Sequence, residues 1–315
     1  MLMLSDGQSV KAGIAREAAK ACYTLRVLTY FQAIVIGLLQ GVTELFPISS
    51  LGHSVLLPTL FGWHNLVAAQ ANSESFFLAF LVGLHVATAI ALLIFYREQW
   101  ARIIKGFFSS LTKRRATTAD ERLAWLLVTA TVPAALVGLI FEHSLRTLFA
   151  KPLSAAILLI VNGAILFYAE RLRRRRDRPT KLSLGSTSEN LSNLKYADAG
   201  LIGVAQIFAL FAGISRSGIT MVGGLAKGLN HEDAARFSFL LATPIILGAG
   251  VYKLPDLLGP NGAGIRPQIL VGSLAAGLAA YVAVRFLDRF FKAHNLIPFA
   301  VYCTLFGLLM VAIIH

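Results

Sequence analysis

Charge is scarce in this sequence. Only 14% of its 315 residues are Asp, Glu, Lys or Arg, against 56% hydrophobic, and the mean hydropathy is +0.68. A soluble domain carries about a quarter charged residues, enough to cover its surface, so a water-soluble globule is excluded. Cysteine is nearly absent as well. Cys22 and Cys303 form neither a zinc spacing nor a disulfide framework, and Cys303 lies in an apolar run as a packing residue. No basic helix interleaved with aromatics occurs, so the net charge of +13 does not mark a nucleic-acid binder. Residues 1–27 lack the contiguous apolar core of a secretory signal. They read either as an interfacial amphipathic helix or as a poorly ordered extension.

What the chain has in abundance is apolar runs of bilayer-spanning length, about 20 residues. Ten segments are legible, from Leu28–Phe46 to Leu296–Ile314, which defines an all-α polytopic membrane protein. Two pairs are too short or too interrupted to span singly. They flank Pro47 and the stretch from Gly213 to Gly218, and each pair reads as a re-entrant helical hairpin with a polar turn near the bilayer midplane.

Basic residues orient the rest. The stretch from Arg97 to Arg122 holds seven Lys or Arg residues, and so does the stretch from Arg171 to Lys181. Both are expected on the cytoplasmic side. The hairpins then enter from opposite faces, which makes the chain an inverted-topology repeat. Its expected parts are an extension (1–27), a first repeat (28–170), a basic cytoplasmic loop (171–196) and a second repeat (197–315). An echo supports the repeat: an offset of 166 maps Gln40 on Gln206, Ile48 on Ile214, Ser49 on Ser215 and Gly52 on Gly218. A basic N-terminus outside the cell runs against the positive-inside rule, so those first residues fold back or the first segment crosses fully.

Two polar constellations interrupt the apolar background. In the first, Gln40 and Glu44 share one helical face, Pro47 ends that helix, and Ser49 or Ser50 caps the next half-helix with His53 on its first turn. A carboxylate in hydrocarbon costs about 2.5–3.5 kcal/mol on insertion scales, so Glu44 needs a partner or a metal. In the second, Gly213-Ile214-Ser215-Arg216-Ser217-Gly218-Ile219-Thr220 precedes a short apolar helix. Such a turn offers backbone amides to phosphate, and Arg216 adds a planar fork for two phosphate oxygens. Ser215, Ser217 and Thr220 are expected to complete the cradle. His85, inside an apolar span, reads mainly as structural, with a supporting place beside the site as the alternative. His64, His143, His231 and His294 read as loop residues.

At these two motifs the chain resembles the undecaprenyl-diphosphate phosphatase family, also called the bacitracin-resistance family. That family carries Glu/Gln-x-x-x-Glu leading into Pro-x-Ser-Ser-x-x-His, and later Gly-x-Ser-Arg-Ser-Gly-x-Thr. Gln40, Glu44, Pro47, Ser49, Ser50 and His53 fit the first, and Gly213, Ser215, Arg216, Ser217, Gly218 and Thr220 the second. Leu84-His85, the run Ser238 to Ala242 with Pro244, and Ile297 to Ala300 match as well. Many members carry Glu where this chain has Gln40.

The resemblance implies hydrolysis of undecaprenyl diphosphate on the outer face of the bacterial cytoplasmic membrane. It further implies recycling of a cell-wall lipid carrier, bacitracin resistance, and a divalent cation, Mg²⁺ or Ca²⁺, at Glu44. The catalytic candidates are Glu44, Ser49, Ser50, His53 and Arg216; the substrate-binding candidates are Gln40, Ser215, Arg216, Ser217 and Thr220. The nucleophile stays open between Ser50 with His53 as base, His53 itself, Ser49 and an activated water. The rival class is a transporter or flippase of an anionic polyprenyl lipid, which broken helices and a buried arginine suit equally. Oligomeric state is not legible.

Overall fold

The computed structural model describes residues 28–70, 76–149, 151–175, 187–259 and 264–315. The N-terminal extension and residues 176–186, which hold the end of the basic run, lie outside the described residues. Every described element is a helix, and six are long and apolar enough to cross a membrane. In chain order the helices are α1 (Tyr30–Leu45), α2 (Ser50–Leu60), α3 (His64–Gln70), α4 (Phe76–Phe95), α5 (Arg97–Lys113), α6 (Ala119–Phe149) and α7 (Pro152–Arg175). The second half gives α8 (Thr187–Ser192), α9 (Tyr196–Ala205) with a 3₁₀ turn (Gln206–Leu210), α10 (Arg216–Ala226) and α11 (His231–Tyr252). It closes with α12 (Leu254–Leu258), α13 (Arg266–Phe290) and α14 (Ile297–Ile314).

The six long helices are α4, α6, α7, α11, α13 and α14, matching the six full spans expected from sequence. Their outward faces are apolar. On α13, Leu270, Leu274, Leu278 and Val282 recur every four residues and are each more than 60% exposed, while Ala276, Ala280 and Val284 are buried. Such an exposed stripe is what lipid contact requires and what water would penalise.

The short helices are cut by their own sequences. Thr29 starts α1 with a capping box: its hydroxyl accepts from Gln32 N–H while Gln32 accepts from Thr29 N–H. Pro47 stops it. At about 1.5 Å per residue, the 16 residues of α1 reach some 24 Å, less than a hydrocarbon core of about 30 Å. The 11 residues each of α2 and α10 reach still less.

The two halves make equivalent contacts. α1 packs on α13 as α9 packs on α6, while α7 meets α14 and α4 meets α11. These approaches depend on small residues: a Cβ at Gly37 would collide with Gly272 O, and one at Gly203 with Ala130 O. Gly37 and Gly203 are themselves 166 residues apart, the offset of the motif echo. The core fills the space between these pairs, with Leu56, Leu92, Leu126, Phe237, Phe239 and Leu240 fully buried.

Candidate active site

The hairpin turns meet in the protein interior and exchange contacts. Ser49 is the N-cap of α2, its hydroxyl accepting from Gly52 N–H (3.2 Å). Ser215 caps α10 in the same way, accepting from Gly218 N–H (3.1 Å). Each glycine faces the opposite turn: a Cβ on Gly52 would meet Gly213 at 3.1 Å, and one on Gly218 would meet Pro47 at 3.3 Å. Gly213 also has φ +110, a conformation that only glycine adopts without strain. Hydrogen bonds cross the junction, from Gly213 N–H to Ser49 Oγ (3.1 Å) and from Ser217 Oγ to Phe46 O (3.0 Å).

Asn162 of α7 bolts the two turns together. Its Nδ2 donates to Pro47 O, and its Oδ1 accepts from Ser215 N–H, both at 3.0 Å. No motif marks this residue in the sequence; its one signal is a lone amide among apolar neighbours, which is costly unless paired.

Glu44 is the hub. Arg216 Nη2 donates to its Oε1 at 3.0 Å, and Arg216 Nη1 reaches Ser238 O at 3.4 Å. On Oε2, Ser50 Oγ donates at 2.6 Å, Gln40 Nε2 donates at 3.1 Å, and His85 Nε2 lies 3.4 Å away. The carboxylate is buried, yet donors surround it, which is how a charge is tolerated in an apolar interior. His85 is held from behind by Leu81 O, 2.7 Å from its Nδ1. It therefore takes the supporting place that the sequence left as an alternative.

Not every candidate faces the same space. Ser49 is buried with φ 69, a left-handed conformation that costs a non-glycine residue about 1–3 kcal/mol. Its hydroxyl is occupied by two backbone amides. Thr220 Oγ1 donates within 3.0 Å of Arg216 O and Ser217 O and meets Ser238 Oγ at 2.6 Å. Ser215 Oγ and Ser217 Oγ share a 3.0 Å hydrogen bond. All four hydroxyls are buried and hold the turns, whereas Ser50 and Arg216 are part-exposed beside Glu44.

His53 also differs from expectation. Ser49 O can only accept, so His53 Nδ1 donates to it (2.8 Å) and neutral Nε2 accepts from Tyr302 Oη (2.8 Å). Its ring is stacked on Tyr302 and Phe306, with centroids 5.7 and 5.2 Å apart. Both nitrogens are engaged away from Ser50, whose proton points instead at Glu44. Tyr302 escaped the sequence reading because one tyrosine in an apolar span is unremarkable until its hydroxyl has a partner.

A hard divalent cation takes oxygen donors, and the candidates beside the centre are Glu44 and Gln40. Gln40 Oε1 is buried and has no hydrogen-bond partner, and it belongs to the side chain adjoining the Glu44 carboxylate. Among the described residues no group of three His, Cys, Asp or Glu side chains gathers to hold a metal. Any ion here would have to complete its shell on other oxygens, such as substrate phosphates.

Fold and site together define a polytopic helical membrane protein with a buried carboxylate, arginine and hydroxyl at the junction of two interrupted hairpins. Comparison with known families agrees. The family model described as bacitracin resistance protein BacA matches residues 33–309. Undecaprenyl-diphosphatase 2 of Frankia alni is 52% identical, over 90% of this chain and 97% of its own length. Undecaprenyl-diphosphatase of Mycolicibacterium paratuberculosis is 54% identical, over 89% and 95%, and that of Granulibacter bethesdensis 44%, over 90% and 96%. The chain belongs to the BacA family.

Proposed function

We propose that this chain is a multi-pass bacterial membrane phosphatase that hydrolyses undecaprenyl diphosphate to undecaprenyl phosphate and inorganic phosphate. The observation that carries this reading is the line Ser50 Oγ, Glu44, Arg216, which joins a hydroxyl, its base and a phosphate-binding cation across 172 residues of chain. Anion binding alone needs the arginine but not a hydroxyl donating to a carboxylate, and that difference favours hydrolysis over transport.

Phosphoryl transfer is mainly positioning and charge neutralisation. Arg216 holds the terminal phosphate while Ser50 Oγ attacks its phosphorus. The bond to the bridging oxygen breaks, undecaprenyl phosphate leaves, and the Ser50 proton moves to Glu44 Oε2. Glu44 passes that proton to the departing undecaprenyl phosphate; ionised again, it takes a proton from the water that attacks the phosphoserine and returns it to Ser50 Oγ as inorganic phosphate departs. His53 fixes the first turn of α2 through Ser49 O. A divalent cation, Mg²⁺ or Ca²⁺, held by Glu44 and Gln40 Oε1 would supply further neutralisation of the diphosphate.

In the bilayer we place α1–α2 and α9–α10 as re-entrant hairpins entering from opposite faces, in inverted repeats spanning 28–170 and 197–315 and joined by a cytoplasmic loop, 171–196. The exchanged Gly52 and Gly218 contacts support that arrangement, as two elements related by a two-fold axis must contact each other reciprocally. The site then opens to the outer face, where the lipid carrier is recycled and where bacitracin resistance would arise. The decisive experiment is rapid quench with terminally labelled undecaprenyl diphosphate. Label recovered on Ser50 supports the scheme; turnover with no covalent species replaces it with direct attack by water.

A further inference from the structure

Away from the buried centre, the stretch from Arg97 to Arg122 carries seven Lys or Arg residues against three acidic ones. α5 has two faces. Gln99, Ile103, Gly106 and Ser110 are buried against the bundle, and Ser110 Oγ accepts from Trp125 Nε1 of α6 at 2.9 Å. Ile104, Phe108 and Leu111, spaced by four and three, are exposed on the other side. A helix this rich in Arg and Lys does not cross a bilayer, and an exposed apolar stripe among those bases fits one lying in the interface.

The acidic residues of this region are already paired. Glu98 meets Arg97 (3.9 Å), Asp120 meets Arg102 (3.7 Å) and Glu121 meets Lys113 (3.0 Å). Arg114 and Arg115 have no acidic partner among the described residues. Arg114 closes α5 in the left-handed conformation (φ 54), with its N–H on Leu111 O and that of Arg115 on Ser110 O. Glycine is favoured at such a position, so an arginine is held there against backbone preference. Both arginines line a cavity of about 480 Å³ together with Leu111, Trp125, Thr129 and Tyr196.

We propose that this cavity binds one anionic phospholipid, its phosphate between Arg114 and Arg115 and its acyl chain along Leu111 and Trp125. Leu111 belongs to both the cavity and the exposed stripe of α5, so the cavity opens at the level where a leaflet presents headgroups. Two guanidiniums with no acidic partner among the described residues, beside an apolar wall, match a phosphodiester with a tail, whereas a soluble anion has no use for the wall. None of these residues belongs to the Glu44 centre.

Tryptophan quenching in reconstituted full-length protein tests the site. The chain has three tryptophans, so a W63F/W100F background leaves Trp125 as the reporter. Vesicles of phosphatidylcholine are doped with chain-brominated phosphatidylglycerol or chain-brominated phosphatidylcholine at equal mole fraction. Phosphatidylglycerol is expected to reach half-maximal quenching at roughly tenfold lower mole fraction than phosphatidylcholine. R114A/R115A is expected to abolish that preference and R114K/R115K to keep part of it. K105A removes an exposed base outside the cavity and is expected to leave it intact. Equal quenching by the two lipids overturns the proposal, as does a preference that survives R114A/R115A with unchanged helicity. Loss of preference in K105A would show diffuse surface attraction, and relief of quenching by millimolar inorganic phosphate would show a site for phosphate alone; either result overturns it.

Discussion

Arg216 Nη2 lies 3.0 Å from Glu44 Oε1, one residue from each hairpin, so the charge of one turn is neutralised by the other. The pair is buried on the Glu44 side and part-exposed on the Arg216 side, leaving the arginine one face for an incoming anion.

Removing either partner strands the other. R216A is expected to lower kcat/KM for undecaprenyl diphosphate by at least about a thousandfold, since breaking such a pair costs about 3–5 kcal/mol and a phosphate contact is lost as well. R216K is expected to rescue little, because an ammonium cannot reproduce the planar fork. Phosphate release from detergent-purified variants measures both.

E44Q keeps the shape of the hub but cannot accept a proton from Ser50 while holding Arg216. Its kcat is expected to fall by about 10²–10⁴-fold, with a smaller change in KM. S50A is expected to fall comparably and to yield no phosphoenzyme. If S50A stays active, the nucleophile is not Ser50.

Y302F removes one hydroxyl from the His53 ring and leaves the stacking in place. A moderate loss of kcat, about five- to thirtyfold, is expected, corresponding to roughly 1–2 kcal/mol for a buried hydrogen bond. Loss as complete as in H53A would instead assign Tyr302 a direct part in the chemistry.

Chelation by EDTA is expected to abolish phosphate release, with Mg²⁺ or Ca²⁺ restoring it. Q40E places a second carboxylate where Gln40 Oε1 has no partner, so it is expected to lower the cation concentration for half-maximal rescue. Unchanged cation dependence in Q40E would remove Gln40 from the ion's shell.

G37V and G203V test the packing of the two halves. Each side chain would collide with backbone oxygen, of Gly272 and Ala130 respectively, and backbone cannot yield as a side chain tip does. A loss of about 1–3 kcal/mol is expected, read as a lower thermal midpoint in detergent.

The membrane class, the six spans, the short hairpin helices and the two polar turns were legible in sequence, because run length and proline or glycine placement act locally. The motif echo at an offset of 166 was legible too, and the capping of α2 by Ser49 and of α10 by Ser215 gives it a shared geometry. Which hydroxyl faces the carboxylate was not. Ser49 and Ser50 are adjacent in a polar turn, and only the approach of Gly213 engages one and leaves the other on Glu44. Asn162, Tyr302 and the position of His85 depend on which spans pack against the hairpins. Side-chain spacing along one helix carries no information about a partner on another, and such partners are chosen when helices bury their small-residue faces against one another.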